Sequence, residues 1–366
     1  MDALAAHVHS IAKSGDEKQR KEILDSLQSL RNSIETPDDT VQRFAFYNMQ
    51  LAGLRIGANL KIFSLLAESE TPLTVSKLSE KTGADSGFLA RLLRYLASFE
   101  AIKETDKDQF SSSNITRTFS QSGFEAAVFH YFDTMGPAIQ NLPEFLQETK
   151  YKDPVDNANT ALQKAFQTDQ PAFFWLQTQP DKMAFFQEYI TTNRAGMPTF
   201  LDVYPVEEKA IAFRERYPQL EGRVIVQDLA PTLQHAIPHS AVETMELDFF
   251  QPQTVKGAKF YYLRNVFHDW PDHKARIILK NIIEAMSDDS LILIDDMVLP
   301  NVGVHWQAAQ MDMLMMATLA ARERTQEQWY ELLGSAGLKI NKIYTYTSSL
   351  KDSIIEAVPE SRIVRD

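Results

Sequence analysis

The chain has 366 residues and a formal net charge of −12, from 37 Lys and Arg against 49 Asp and Glu. Its length suggests two domains, and its 44% of hydrophobic and 23% of charged residues exclude a disordered or fibrous chain. The acidity argues against binding to nucleic acid or to an anionic membrane, and the lack of cysteine excludes disulfides, thiolate metal ligands and Cys nucleophiles.

We expect no targeting signal at the N-terminal end of the chain. Its first residues lack the apolar core of a signal peptide, and no apolar run reaches the length of about 18 residues that a membrane span needs. Residues 1–40 instead have the pattern of a charged helical arm. We therefore expect a soluble, cytoplasmic protein.

A winged helix is predicted after this arm, and the two together form a predicted domain over residues 1–115. Apolar residues recur at helical spacing over 44–69, two further helical segments surround a turn at Thr82-Gly83, and two short strand-like pieces follow within 101–110. The second helix of the motif is apolar apart from two arginines, whereas a helix that contacts DNA bases needs a denser basic face. This domain is therefore expected to serve dimerisation.

Residues 116–196 are predicted to be helical and are rich in aromatic side chains. Such residues usually form a core. They also suit an apolar pocket for an aromatic or polyketide-like ligand, because ligand pockets are mostly apolar with few polar groups. Both interpretations stay open at this point.

From residue 197 to 366 the pattern changes to alternating strands and helices. This alternation is typical of a Rossmann-like α/β domain with a mostly parallel sheet. The predicted strands are 223–227, 242–247, 259–263, 290–295, 339–346 and 353–358, with helices at 273–286, 306–320 and 326–336.

Polar residues follow several of these strands, where ligands bind in open α/β sheets. His268 lies a few residues beyond one strand, Asp228 follows another, and Asp295 and Asp296 end a third. A surface histidine is the simpler alternative for His268. No histidine pair has the spacing of a metal motif, so we predict no metal.

The chain resembles the small-molecule O-methyltransferases of fungi and plants that use S-adenosylmethionine, in the caffeate O-methyltransferase-like group. The resemblance covers about residues 40–358 and implies a class I methyltransferase fold, a winged-helix homodimer and a small aromatic or polyketide-like substrate. The matching segments are PLTVSKLSEKTGADSGFLARLLRYLASFEAIKE (72–104), VIVQDL (224–229), LDFFQP (247–252), YYLRNVFHDWPDHKARIIL (261–279), LILIDDMVLP (291–300) and ARERTQEQWYELLGSAGL (321–338).

The resemblance implies a catalytic group of three residues. His268 falls on the general base that removes a proton from the substrate hydroxyl, and Asp296 and Glu323 fall on the two acids that orient it. A neutral imidazole within hydrogen-bond reach can take a phenolic proton, and a carboxylate on the other ring nitrogen fixes the tautomer.

The resemblance also implies residues that hold the cofactor and the acceptor. Asp228 would accept hydrogen bonds from the ribose hydroxyls, Asp248 and Phe249 would contact the adenosine, and Arg264 takes the place of a family lysine that faces the cofactor. Phe186 is a candidate for lining the acceptor pocket.

The chain departs from the family at the glycine-rich loop that approaches the methionine end of the cofactor. No two glycines here are separated by one residue, and Gly222 is the only glycine between Gly196 and Gly257. The simplest alignment deletes the first strand and its loop between Lys209 and Ile211. Binding of S-adenosylmethionine is therefore an open question from the sequence.

Three explanations follow from this departure. The first is an ordinary methyltransferase acting on a phenolic or enolic hydroxyl, whose printed sequence has lost one exon. The second is a protein of the same fold that no longer methylates and acts as a pericyclase or dehydrating cyclase. The third is a non-catalytic paralogue that binds a ligand or partner. We predict the methyltransferase, because the predicted base and both acids are retained.

Overall fold

The computed structural model forms two compact units, which are described separately. Unit 1 consists of Met1–Lys150 and Ala161–Met197, and unit 2 of Tyr151–Thr160 and Pro198–Asp366. The residues that the structure describes are 2–192, 221–234 and 240–361.

Unit 1 is mostly helical and begins with the predicted arm. Helix α2 starts in a capping box, in which the Asp16 carboxylate accepts from the Gln19 backbone N–H and the Gln19 side chain accepts from the Asp16 N–H. The elements in chain order are α1 (Asp2–Ser14), α2 (Glu17–Ile34), α3 (Pro37–Ala45), α4 (Tyr47–Asn59), α5 (Ile62–Ala67), β1 (Leu73–Thr74), α6 (Val75–Thr82), α7 (Ser86–Ser98), β2 (Lys103–Asp106), β3 (Gln109–Ser111), α8 (Asn114–Phe119), α9 (Ser122–His130), a π-helix (Tyr131–Met135), α10 (Gly136–Glu148), α11 (Ala161–Phe166), α12 (Ala172–Gln177) and α13 (Pro180–Thr192).

The predicted winged helix is present. The strands pair antiparallel in the order β1-β3-β2, with Phe110 of β3 opposite Leu73 and Glu104. Helix α6 ends at Gly83, whose φ of 71° is the left-handed conformation that glycine adopts without steric cost. Phe110 is fully buried in one core with leucines of α6 and α7.

Unit 2 carries the α/β domain. Its elements are β4 (Ile225–Asp228), α14 (Ala230–Leu233), β5 (Glu243–Glu246), β6 (Phe260–Arg264), a 3₁₀ helix (Phe267–Asp269), α15 (Asp272–Ile283), β7 (Leu291–Met297), α16 (Trp306–Leu319), α17 (Gln326–Ser335), β8 (Leu338–Thr345) and β9 (Asp352–Pro359). These bounds agree closely with the predicted strands and helices.

The strands of unit 2 form two sheets. Strands β4 and β5 pair in parallel, and the second sheet has the order β6-β7-β9-β8, in which β6 and β7 are parallel and β9 is antiparallel to both of its neighbours. Within the described residues, no strand joins β4 to β6. The register pairs Arg264 with Asp295, so the carboxyl ends of β6 and β7 lie at one edge of the sheet.

Two sequence-based predictions lie outside the described residues. The proposed deletion between Lys209 and Ile211 is one of them, and the pair His235 and His239 is the other. Over the part of the chain that the structure describes, no helix is both long enough and apolar enough to cross a membrane.

Candidate active site

The 3₁₀ helix that follows β6 positions His268. Its neighbour Phe267 is fully buried in the core of unit 2 and meets the edge of Trp329 at a centroid distance of 6.2 Å. The backbone N–H of Phe267 donates to Asp296 Oδ2 at 3.2 Å. The turn that carries His268 is therefore held by the buried Phe267 ring and by the Asp296 carboxylate of β7.

Glu323 holds the imidazole of His268. The His268 Nδ1 atom lies 2.8 Å from Glu323 Oε1, and Glu323 is 3% exposed. The backbone N–H of Glu323 in turn donates to Asp312 Oδ1 at 2.9 Å. Glu323 follows Ala320, whose left-handed φ of 52° ends α16 and turns the chain back toward the site.

The other imidazole nitrogen is left for a ligand. His268 Nε2 is 3.4 Å from Asp269 Oδ1, which is longer than a good N–H···O hydrogen bond. Among the described residues no hydrogen bond to Nε2 is formed. The His268 side chain is 15% exposed, so Nε2 is the atom through which this residue can act on a substrate.

The three acids set the protonation of His268. Burial works to lower its pKa, but the charge of Asp269, the hydrogen bond and charge of Glu323 and the charge of Asp296 outweigh that effect and raise the pKa to about 10. The surrounding acids therefore favour the charged form of His268 in the ligand-free site.

Asp296 completes the group. Burial raises its pKa to about 8 because desolvation disfavours the ionised form. Its Oδ1 atom and Glu323 Oε2 are buried and have no hydrogen-bond partner in the part of the chain that the structure describes. These two carboxylate oxygens and the His268 imidazole can exchange protons with a bound hydroxyl.

His268, Asp296 and Glu323 also offer one ligand atom each within 4.8 Å of one another, as a metal ion requires. That this site holds no metal stays a prediction.

Arg324 is a positioning residue that sequence reasoning missed. It is 1% exposed, and its guanidinium donates to Phe267 O at 2.7 Å, to Trp270 O at 2.9 Å and to Asp272 Oδ1 at 2.8 Å. These bonds surround the turn that carries His268. The signal in the sequence was the arginine beside Glu323, but nothing there indicates that it reaches back across 57 residues.

We expect Arg324→Gln to lower the free energy of unfolding by about 3 kcal/mol, because buried carbonyl groups and Asp272 lose a charged donor. A urea midpoint measures this change. Arg322→Gln is the matched control: it removes an ion pair with the half-exposed Asp153 and should cost less than about 1 kcal/mol. Equal losses of unfolding free energy in the two variants would show that the hydrogen bonds of Arg324 do not hold the turn that carries His268.

The predicted cofactor residues of unit 2 lie at strand ends. Asp228 ends β4, and Asp248 follows the adjacent β5, whose register aligns Asp228 with Glu246. The Asp248 carboxylate accepts from the Phe250 N–H at 2.9 Å. Phe249 packs edge-on against Trp270 at 5.9 Å, so the predicted adenosine side contacts the turn that carries His268.

Arg264 is the last residue of β6 and lies beside Asp295, whose two carboxylate oxygens both accept hydrogen bonds. Its Nε is 3.6 Å from Asp295 Oδ2, and the hydroxyls of Tyr262 and Tyr346 donate to the two Asp295 oxygens at 2.6 Å each. Asp295 therefore holds Arg264 in place, and the Arg264 side chain remains 42% exposed at the carboxyl end of β6.

Phe186 lies in unit 1, on α13. Its ring is 5.3 Å from that of His130, a residue that sequence reasoning missed. His130 is 4% exposed, and within residues 2–192, 221–234 and 240–361 neither its Nδ1 nor the Thr134 hydroxyl has a hydrogen-bond partner. His130 directly precedes the π-helix Tyr131–Met135, and Thr134 lies within it; such segments are frequent at functional sites.

Two family matches cover most of this architecture. An O-methyltransferase dimerisation domain matches residues 43–122, and an O-methyltransferase domain matches residues 208–339. The chain belongs to the O-methyltransferase family. The resemblance and the fold class predicted from the sequence are thereby confirmed.

Similar proteins come from fungal secondary metabolism. The chain is 42% identical to the O-methyltransferase lepI of Aspergillus flavus, over 94% of this chain and 95% of the relative. It is 38% identical to the demethylsterigmatocystin 6-O-methyltransferase of Aspergillus parasiticus, over 98% of each chain. The alignment is 382 positions long, but it includes only 98% of the 366 residues of this chain. About two dozen alignment positions therefore lie opposite gaps in this chain.

Several solved structures share this fold. One described as a pericyclic reaction enzyme superposes with a TM-score of 0.91 at 40% identity, over 98% of both chains. LepI in complex with S-adenosylmethionine gives the same values. OxaC in complex with sinefungin and meleagrin has a TM-score of 0.82 at 26% identity, over 96% of this chain and 97% of that chain.

Proposed function

We propose that the protein is an S-adenosylmethionine-dependent O-methyltransferase that acts on a phenolic or enolic hydroxyl of a small aromatic secondary metabolite. The observation that carries the proposal is the state of His268: Nδ1 is engaged by the buried Glu323 at 2.8 Å, while Nε2 has no hydrogen bond among the described residues. This is the arrangement that a general base oriented by a carboxylate requires.

The proposed reaction is a single displacement. Neutral His268 accepts the hydroxyl proton at Nε2 as the substrate oxygen forms its bond to the methyl carbon, and the bond from that carbon to sulfur breaks. The resulting imidazolium is stabilised by Glu323 through Nδ1. S-adenosylmethionine, when bound, supplies the electrophilic methyl group. With its pKa raised to about 10, His268 matches a phenol, whose usual pKa is about 10, so the proton transfer is nearly balanced.

The residues at the ends of β4 and β5 fit the adenosine half of the cofactor. Asp228 already accepts from the Leu229 N–H through Oδ1 at 2.7 Å, and Asp248 is fixed through the Phe250 N–H at 2.9 Å. Carboxylates at the carboxyl ends of adjacent parallel strands suit the two ribose hydroxyls.

Asp228→Asn should weaken binding of S-adenosylmethionine by about 10- to 100-fold, because a charged acceptor to the ribose hydroxyls is replaced by a neutral one. Isothermal titration calorimetry of the intact protein measures this. Glu243→Gln, at the opposite end of the same strand pair and bonded to Arg223 on the surface, should leave the affinity unchanged. Unchanged affinity in Asp228→Asn would remove that residue from the cofactor site.

The acceptor is proposed to be aromatic and uncharged. In unit 1, Phe186, His130 and the Tyr131–Tyr189 hydroxyl pair combine aromatic faces with polar atoms, and burial lowers the pKa of His130 to about 4, so this imidazole is neutral. In unit 2, a cavity of about 320 Å³ reaches Glu323 and is walled in part by Met313 and Met316. Methionine walls adapt to irregular apolar ligands.

A pericyclic or dehydrating activity is the second candidate. It is supported by the similar structure described as a pericyclic reaction enzyme and by the absence of a Gly-x-Gly sequence. The imidazolium of His268 supports it as well, because a charged donor can polarise a substrate carbonyl without any methyl transfer.

The two candidates are separated by the cofactor requirement. Purified protein is incubated with hydroxylated xanthones and anthraquinones, with and without S-adenosylmethionine, and products are followed by mass spectrometry. Methylated products that require the cofactor are expected. Isomerised or dehydrated products without added cofactor would favour the second candidate, and no turnover in either condition would favour a binding paralogue.

A further inference from the structure

His268, Asp296 and Glu323 have the geometry of a cation site as well as that of a base and its acids. One ligand atom from each side chain lies within 4.8 Å of the other two. The ligands of a tetrahedral zinc ion lie about 3.4 Å apart at bond lengths of about 2.1 Å, so small rotations of these side chains bring all three into contact with one ion. Three protein ligands leave a fourth position for water.

The two carboxylates of this group are buried and each has an unused oxygen. Asp296 and Glu323 are 1% and 3% exposed, and neither Asp296 Oδ1 nor Glu323 Oε2 accepts a hydrogen bond from the residues that the structure describes. A buried carboxylate oxygen without a partner is costly. Independently of the spacing, the missing partners therefore favour a positively charged ligand between these two side chains.

The charges around the group also favour a cation. Asp269 adds a third carboxylate, whose Oδ1 lies 3.4 Å from His268 Nε2. Arg324 is close enough for its charge to act on Asp296, but its guanidinium already donates to Asp272 and to two backbone carbonyls. Three acids around one imidazole leave a local excess of negative charge that a divalent ion would balance.

One nitrogen and two carboxylate oxygens suit zinc better than magnesium. Imidazole is a common ligand of zinc, copper and nickel, whereas magnesium takes oxygen ligands and water in an octahedral arrangement. The chain has no cysteine, so zinc has no thiolate ligand anywhere in this sequence. A histidine with two buried acids is therefore the kind of site at which zinc can bind to this chain.

We propose that His268, Asp296 and Glu323 bind a zinc ion and that zinc thereby inhibits the protein. A neutral imidazole has one nitrogen lone pair. Once that pair is bonded to zinc, the ring cannot accept the hydroxyl proton of an acceptor. Zinc is thus an inhibitor and not a cofactor, and the proposed reaction itself needs no metal. Zinc binding rests on the geometry alone, whereas inhibition of methyl transfer rests on the proposed function.

Calorimetric titration of the intact protein with zinc chloride, without cofactor, tests the binding. A single tightly bound ion per chain is expected. Asp296→Asn and Glu323→Gln keep the shape of each side chain and should weaken binding about 100-fold, because loss of a hydrogen bond to a metal ligand alone costs about 10- to 100-fold. Circular dichroism checks that both variants fold. Zinc affinity in the folded variants equal to that of the parent would overturn the proposal.

The matched control for binding is the pair His235 and His239, which are four residues apart and lie outside the described residues. His235→Gln combined with His239→Gln should leave the zinc affinity unchanged. Loss of binding in this double variant, with binding kept in Asp296→Asn, would place the ion elsewhere and overturn the proposal. Magnesium chloride should give no binding heat, and magnesium affinity equal to that of zinc would overturn the assignment to zinc.

Inhibition is measured on methyl transfer. Zinc chloride should lower the rate of the parent protein in competition with the acceptor, and excess EDTA should restore it. His273→Gln, which changes an exposed histidine, should be inhibited as the parent is. Zinc that binds but leaves the rate unchanged would overturn the inhibition. A parent protein that binds zinc and transfers no methyl group would contradict the proposed function and leave the zinc site standing.

Discussion

Replacing His268 with Gln is expected to lower the rate of methyl transfer by about 10²–10⁴-fold, the usual contribution of a positioned general base. The glutamine amide can still donate to Glu323, so the orienting contact is kept. It cannot accept the hydroxyl proton at the position of Nε2, the imidazole atom without a hydrogen bond among the described residues. The loss should appear in kcat, with the affinity for the cofactor unchanged.

The control for this variant is His273→Gln, an exposed histidine five residues further on in α15. It has the same chemical change and should retain full activity. Circular dichroism and the urea midpoint of His268→Gln show whether the fold survives loss of the cation among Asp269, Asp296 and Glu323. A folded His268→Gln protein that methylates at the rate of the parent would remove His268 from the reaction.

The pH dependence of methyl transfer is expected to rise toward alkaline pH. The base must be neutral, and the pKa of His268 is raised to about 10, so the active fraction falls about tenfold for each pH unit below that value. The logarithm of kcat/KM should therefore increase with a slope near one between about pH 7 and pH 9. If His268 acts instead as a charged donor, turnover stays flat over this range and falls only near its pKa.

Glu323→Gln should shift this profile to lower pH. The hydrogen bond and charge of Glu323 are among the causes that raise the pKa of His268, so removing the carboxylate lowers that pKa and lets the rate level off earlier. The limiting rate should also fall by about tenfold, because the tautomer is less well fixed. Glu327→Gln, an exposed acid four residues away, removes the same charge and should leave the profile in place. Identical profiles for both variants would show that Glu323 does not tune the base.

The sequence predicted the α/β unit well because its strands are short apolar runs with clear boundaries. LILID became the buried strand β7, whose end carries Asp296, and FYYLR became β6, which precedes His268. Strand ends of a parallel pair meet at one edge, so the proximity of these two residues follows from topology. The antiparallel pairing of β9 between β7 and β8 could not be read from the pattern.

The hydrophobic pattern of the sequence does not place Glu323 or Arg324 at the site. Neither follows a strand, and both reach the site because Ala320 turns the chain at the end of α16. Glu323 was predicted only through the family resemblance, and the bonds from Arg324 to Phe267 and Trp270 were not predicted at all. The raised pKa of His268 depends on the charges of three acids that the fold brings around it, which spacing along the chain does not encode.

The central claim is methyl transfer from S-adenosylmethionine to a hydroxyl oxygen, and transfer of a labelled methyl group tests it most directly. The intact protein is incubated with methyl-labelled S-adenosylmethionine and the hydroxylated acceptors, and label in the organic product is counted. The account predicts labelled product from the parent protein and almost none from His268→Gln. Acceptor consumed without incorporation of label, at equal rate with and without the cofactor, would contradict it.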